Sequence, residues 1–132
     1  MTFSSLHGFT FLYVVYKKRQ LGTKAKREGT KFDRYNSPDM LVADRLNANL
    51  LEWAPIFLGL LWSLAATNNY SATSHKAAWT YVALRALYIP LILQNGVSKN
   101  GLNRGVWAST FPAYACLIVL SYEAVTKLFF EN

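Results

Sequence analysis

Two stretches of this chain are apolar enough to enter a lipid bilayer, yet each carries one charged residue. Residues 50–66 contain Glu52, and residues 77–93 contain Arg85. A charge at the centre of a membrane helix costs roughly 2.5 to 3.5 kcal/mol on insertion scales, so such residues usually face the interior of a bundle or a polar cavity. The pattern therefore predicts a membrane protein with a polar site between its helices.

The apolar pattern predicts an all-α, integral membrane four-helix bundle that forms one domain over residues 1–132. Its first helix is expected to be short or truncated, because Leu6 to Tyr16 covers only about 11 of the roughly 20 residues that a bilayer requires. Its first turns are expected to lie upstream of Met1. The other helices are expected at Pro38–Ala66, with Ser37 as N-cap, from the end of the polar loop 67–76 to Leu93, and at Leu102–Phe130.

Charge is segregated along the chain. The net charge is +7, although 52% of the residues are apolar, because eight basic residues cluster between Lys17 and Arg34. The positive-inside rule places this loop and the loop after the third helix in the cytosol, against anionic lipid headgroups, with both termini across the membrane. The basic run has no RNA-binding or zinc signature, so we expect no nucleic-acid partner. His7 and His75 lack ligand-spaced partners, so no metal site is expected.

Polar residues recur on single faces of the second and third helices. Arg45, Asn49 and Glu52 lie at i, i+4 and i+7, and Arg85 and Tyr88 lie at i and i+3. Because the two helices run antiparallel, both stripes reach the cytosolic half of the bilayer and can meet. One interpretation is that Glu52 and Arg85 simply neutralise each other between helices. The other is a binding site for a zwitterionic ligand, which would employ the whole set.

Two motifs resemble those of a known family. The run from Arg45 to Pro55, Arg-x-x-x-Asn-x-x-Glu-Trp-x-Pro, is similar to the second helix of the MAPEG proteins, the membrane-associated proteins of eicosanoid and glutathione metabolism. The sequence Arg85-Ala86-Leu87-Tyr88 resembles the Arg-x-x-Tyr signature on the third helix of that family. The first motif is fairly specific, whereas the second alone would be weak.

The resemblance implies a homotrimer that holds glutathione, as co-substrate, between neighbouring subunits near the cytosolic face. It also implies a membrane of the endoplasmic reticulum or another organelle. Arginines suit the glutathione carboxylates, a carboxylate suits its amino group, and an amide suits its peptide backbone. Carried over by position, the glutathione-binding residues are Arg45, Asn49, Glu52, Trp53, where relatives often have Tyr, Arg85 and Tyr88.

The resemblance also supplies a catalytic candidate. A thiol becomes a good nucleophile when it loses its proton, and a nearby guanidinium favours the thiolate. Arg104 matches the arginine that opens the fourth helix in many family members, with Lys99 as the fallback and Lys18 or Arg19 as possible assistants. The alternative for all four is an ordinary basic flank of a membrane helix.

The chain departs from the family pattern at several points, so two functions stay open. Ile92 stands where many relatives have a second tyrosine, and the segment 96–101 looks like an insertion. One hypothesis is a glutathione-dependent membrane transferase or peroxidase acting on lipophilic electrophiles. The other is a non-catalytic structural subunit that binds other membrane proteins in a larger complex; Ile92 and the short first span favour it.

Overall fold

A computed structural model describes residues 3–97 and 104–130. Within these ranges the chain forms four helices: α1 (Phe3–Arg27), α2 (Pro38–Ala66), α3 (Ala72–Asn95) and α4 (Arg104–Phe129). The helices α2, α3 and α4 are long and apolar enough to cross a membrane by length and composition. The predicted all-α membrane architecture is confirmed.

Side-chain caps explain where α2 and α3 begin. The Ser37 hydroxyl accepts from the backbone N–H of Met40 at 3.4 Å, and Pro38 occupies the first turn, where its missing N–H costs nothing. The Ser71 hydroxyl accepts from the N–H of Ser74 at 3.0 Å. This second cap starts α3 at Ala72, inside the segment 67–76 that was predicted to be a loop.

Glycine ends α3 near the predicted position. Gly96 has a φ of +68°, a backbone conformation that residues with a Cβ rarely adopt, and its N–H donates to the Ile92 carbonyl at 2.9 Å. The helices α2, α3 and α4 continue through Pro55, Pro90 and Pro112. Internal prolines of this kind are tolerated where neighbouring helices satisfy the backbone groups that they free.

The helix α1 lies antiparallel against α2. Three contacts mark this register: the rings of Phe3 and Phe57 lie 5.2 Å apart, the Thr10 hydroxyl donates to Asn47 at 3.3 Å, and Lys17 pairs with Asp39 at 3.9 Å. The apolar part of α1 is short, as predicted, but the helix itself continues through basic residues to Arg27. The end of α1 and the start of α2 therefore lie at one end of the bundle, and the start of α4 lies there too. We call this the basic end.

The core forms where α3 packs along α4 and both contact α2. Buried alanines, Ala77 and Ala78 on α3 and Ala113 and Ala124 on α4, allow the two backbones to approach closely. On the α2 side, the rings of Phe57 and Tyr81 stack at 4.3 Å. A second apolar cluster, towards the basic end, contains Leu6, Leu46, Tyr88, Ile89 and Ile92.

Candidate functional site

A groove of about 380 Å³ lies between α2, α3 and α4 at the basic end of the bundle. Helix α2 contributes a cation and an amide, the end of α3 contributes a tyrosine and apolar residues, and the start of α4 contributes aromatic and hydroxyl side chains. The lining residues are Arg45, Asn49, Tyr88, Ile92, Gly96, Val97, Val106, Trp107, Thr110 and Tyr114.

Arg85 lies behind this groove, buried in the bundle. It is 1% exposed, and its Nη1 donates to Oδ1 of Asn49 at 2.6 Å. Its guanidinium carbon lies 5.0 Å from the ring centre of Tyr81 and 5.7 Å from that of Tyr114, close enough for cation–π attraction. Its Nε and Nη2 have no hydrogen-bond partner within the described residues. The site therefore holds a desolvated positive charge with unused donors.

The structure brings together four of the six predicted binding residues. Arg45, Asn49 and Tyr88 line the groove, and Arg85 supports it through Asn49. The remaining two lie outside it. Trp53 packs against Tyr114 with ring centres 4.5 Å apart, and Glu52 is exposed on α2.

Glu52 and Arg85 do not neutralise each other. Among the described residues, the ion pairs join Lys17 to Asp39, Lys24 to Glu28 and Arg34 to Asp44, and none of them includes Glu52 or Arg85. Within the described residues of one subunit, this pair therefore does not hold two helices together. The physical reason is the rotation of α2, which turns Asn49 towards α3 and leaves Glu52 on the surface.

Arg104, the catalytic candidate, is the first residue of α4, the helix that forms one side of the groove. The backbone of Arg104 begins α4, two residues before the lining residue Val106. The side chain of Arg104 and the whole of Lys99 lie outside the described residues. Lys18 and Arg19 are exposed on α1 and do not line this groove.

Sequence reasoning missed the contribution of α4. Trp107, Thr110 and Tyr114 lie at i, i+3 and i+7, so they share one helical face, and all three line the groove. Tyr114 also contacts both Arg85 and Trp53 through its ring. The spacing was visible in the sequence, but aromatic and hydroxyl residues are ordinary in membrane helices, so the signal was weak.

Of the two arginines near the mouth of the groove, Arg34 is paired with a carboxylate and Arg45 is not. Arg34, from the basic loop, donates to both oxygens of Asp44 at 2.7 and 3.0 Å. This hydrogen bond, with the attraction of the carboxylate, raises the pKa of Arg34. Arg45, the next residue along α2, has no carboxylate partner among the described residues and remains free to bind an anion.

Comparison with known proteins bears on the resemblance seen in the two motifs. The sequence model of the MAPEG family matches residues 2–122, which is most of the chain. No curated protein and no solved structure matches this chain. The match spans α1, α2, α3 and the first part of α4, including the groove. The chain therefore belongs to the MAPEG family, and it is a multi-pass integral membrane protein.

Proposed function

We propose that this protein is a glutathione-dependent membrane enzyme, a transferase or peroxidase that acts on lipophilic electrophiles. The observation that carries the proposal is the buried Arg85, bonded to Asn49 and still holding two unpaired nitrogens behind a groove. A desolvated cation of this kind is expensive in a membrane protein and usually marks a functional site. Membership of the MAPEG family supports a glutathione-related activity.

The groove suits a small zwitterionic peptide. Its volume of about 380 Å³ lies within the range of small-molecule sites, roughly 300 to 1,000 Å³. Arg45 at the mouth would fork onto a glutathione carboxylate, while the Asn49 amide and the Tyr88 hydroxyl would bond its backbone. Apolar walls formed by Ile92, Val97 and Val106 would leave room beside the thiol for an electrophile from the bilayer.

The exposed Glu52 supports an oligomer. Its carboxylate lies within the apolar half of α2, between exposed residues Leu51 and Ile56, where contact with lipid would be costly. A neighbouring subunit would cover this surface and allow Glu52 to accept from the amino group of glutathione bound across the interface. The proposed assembly is a homotrimer, in which each site is completed by two subunits.

The proposed chemistry begins with thiolate formation. The Arg104 guanidinium would stabilise the thiolate left when the glutathione thiol releases its proton to water. In conjugation, the sulfur forms a bond to the electrophilic carbon of the substrate while a leaving group departs from that carbon. In an addition, the electron pair instead moves to the adjacent atom, which takes a proton from water. In peroxide reduction, the thiolate sulfur bonds to one peroxide oxygen, the O–O bond breaks, and the other oxygen leaves as an alcohol after taking a proton from water. The sulfenic acid that forms then reacts with the thiol of a second glutathione, giving a disulfide and water.

One observation favours the second candidate, a non-catalytic structural subunit. Ile92 is 2% exposed, packs with Leu6 and Tyr88, and offers the groove no hydroxyl where many relatives have tyrosine. A scaffold that binds other membrane proteins needs the MAPEG bundle but no activated thiol.

One titration distinguishes the two functions. Purified protein is titrated with glutathione near neutral pH while thiolate absorbance in the ultraviolet is recorded, with Lys76→Ala, at the opposite end of the bundle, as the control. We expect thiolate formation in the parent and the control, weaker binding in Arg45→Ala, and loss of thiolate in Arg104→Ala. No binding and no thiolate in the parent would remove the enzyme hypothesis; unchanged absorbance in Arg104→Ala would overturn its assignment.

A further inference from the structure

The end of α1 and the loop that follows it project beyond the rest of the bundle. Lys17 pairs with Asp39 in the first turn of α2, and the ten residues from Lys18 to Arg27 continue the helix for about 15 Å past this point. The chain then reverses, with the N–H of Thr30 donating to the Ala25 carbonyl at 2.9 Å. We call residues 18–37 the basic headpiece.

Most cations of the headpiece have no carboxylate partner. Lys24 pairs with Glu28 at 3.9 Å, and Arg34 is held by Asp44. The other cations have no acidic partner among the described residues: Lys18, Arg19, Lys26, Arg27 and Lys31. They therefore form a dense positive surface that is available to an anionic partner.

Three of these cations surround an open groove. Lys18, Arg19 and Lys26 line a shallow, open space of about 490 Å³ along α1, and Phe32 from the returning loop borders it. The other lining residues, Val15, Gly22 and Thr23, are apolar or small. A Cβ placed on Gly22 would meet no atom within 4 Å, so the glycine leaves the floor of the groove open.

With the basic end on the cytosolic side, as the positive-inside rule requires, we infer that the groove begins at the membrane surface and extends past the headgroup layer. Val15 and Tyr16 are exposed and end the apolar part of α1, so we infer that Lys18 and Arg19 lie at headgroup level. Lys26 lies eight residues farther along, about 12 Å towards the cytosol. The headgroup layer is only about 5 to 7 Å thick on each side. Lys26 is therefore too far out for the phosphodiester that Lys18 and Arg19 can reach.

We propose that this groove binds a phosphoinositide, an anionic phospholipid whose inositol ring carries phosphate monoesters. The phosphodiester would lie between Lys18 and Arg19, the ring would fill the space over Gly22, and a monoester would reach Lys26. An acyl chain would run along Val15 into the bilayer. Juxtamembrane clusters of Lys and Arg bind such lipids by charge. The distance from Lys18 and Arg19 to Lys26 would in addition favour a lipid whose headgroup extends far enough to reach both ends of the groove. This inference goes beyond the proposed glutathione chemistry and does not depend on it.

Two probes that differ only in their monoester phosphates test the headgroup. Dioctanoyl phosphatidylinositol 4,5-bisphosphate and dioctanoyl phosphatidylinositol are titrated into the detergent-purified protein, and bound lipid is counted by native mass spectrometry. We expect the bisphosphate lipid to bind at least tenfold more tightly. Equal affinity for the two lipids would overturn the proposal, and so would equal binding of dioctanoyl phosphatidylserine.

Variants test the location. Lys18→Ala and Lys26→Ala should each weaken binding of the bisphosphate lipid about fivefold, the effect expected for one cation near a membrane surface. Lys76→Ala removes the same charge at the opposite end and should leave binding unchanged. If Lys76→Ala weakens binding as much as Lys26→Ala, the site is not in the headpiece.

A change that keeps every charge tests the groove itself. Gly22→Leu fills the open floor, and because the position is helical and unobstructed, the variant should fold with thermal stability at least equal to that of the parent. We expect it to lose the preference for the bisphosphate lipid over dioctanoyl phosphatidylinositol. A folded Gly22→Leu protein that keeps the full preference would show that charge alone, and not this groove, holds the lipid.

Discussion

Arg85 on α3 donates from Nη1 to Oδ1 of Asn49 on α2 at 2.6 Å, and this bond joins two helices inside the bundle. Both residues are buried, and Asn49 also lines the groove. A charge-assisted hydrogen bond of this length is among the stronger polar contacts in proteins. The contact therefore links the stability of the bundle to the geometry of the candidate site.

Asn49→Leu should destabilise the protein even without glutathione. The variant leaves the Arg85 guanidinium buried without its amide partner, which costs about 1 to 3 kcal/mol. Asn47→Leu is the matched control, because Asn47 is on the same helix but accepts only a 3.3 Å bond from Thr10. Thermal unfolding in detergent measures both variants. If the two variants lose equal amounts of stability, the hydrogen bond between Arg85 and Asn49 contributes no more than the weaker bond of Asn47.

Ile92→Tyr should tighten glutathione binding several-fold. Ile92 is buried but borders the groove, so a tyrosine there must turn its larger ring into the open space, where its hydroxyl can bond to the peptide. Ile92→Phe supplies the same ring without the hydroxyl and should not improve binding. The measurement is a glutathione titration of both folded variants. Tighter binding in Ile92→Phe as well would assign the gain to packing.

Asp44→Asn should destabilise the protein slightly at low salt, because the pair lies at the surface. Arg34 makes two hydrogen bonds to this carboxylate, but both side chains are about a third exposed, which limits the value of the pair. Asp39→Asn is the control, since Asp39 meets Lys17 at only 3.9 Å and should contribute less. Unfolding at low and high salt checks this. The Asp44→Asn effect should shrink at high salt, and an effect independent of salt would contradict an electrostatic origin.

The fold of the basic loop should depend on pH through Asp33. The Asn36 amide and the Tyr35 N–H donate to its carboxylate at 2.7 and 2.9 Å, and these bonds lower its pKa in the folded protein. Because the folded pKa is depressed, the stabilisation is complete above the ordinary pKa of about 4 and is lost as the pH falls through the folded value.

Carboxyl NMR titration of the protein in micelles measures this pKa directly. In Asn36→Ala, which removes the largest cause of the shift, the pKa of Asp33 should rise towards its ordinary value. Asn95→Ala, a change in an exposed asparagine at the end of α3, should leave the titration of Asp33 unchanged. An identical Asp33 pKa in the parent and in Asn36→Ala would refute the assignment of cause.

Much of the fold was predictable because its signals are local. The bounds of α2 follow from Ser37 and Pro38 at its start and from the end of its apolar run at Ala66. The stop at Gly96 follows from a conformation that glycine favours. The start of α3 was placed too late, since the Ser71 cap lies within a polar segment that has the composition of a loop.

The polar site residues on α2 and α3 could be predicted from the sequence, because a charge within an apolar run is costly wherever it occurs. The hydrogen-bond partner of Arg85 could not be predicted. Asn49 and Glu52 lie only about 60° apart around α2, and a rotation of that size decides which of them faces α3. The packing of Phe57 on Tyr81 and of Trp53 on Tyr114 fixes the rotation, and only the tertiary structure determines these contacts.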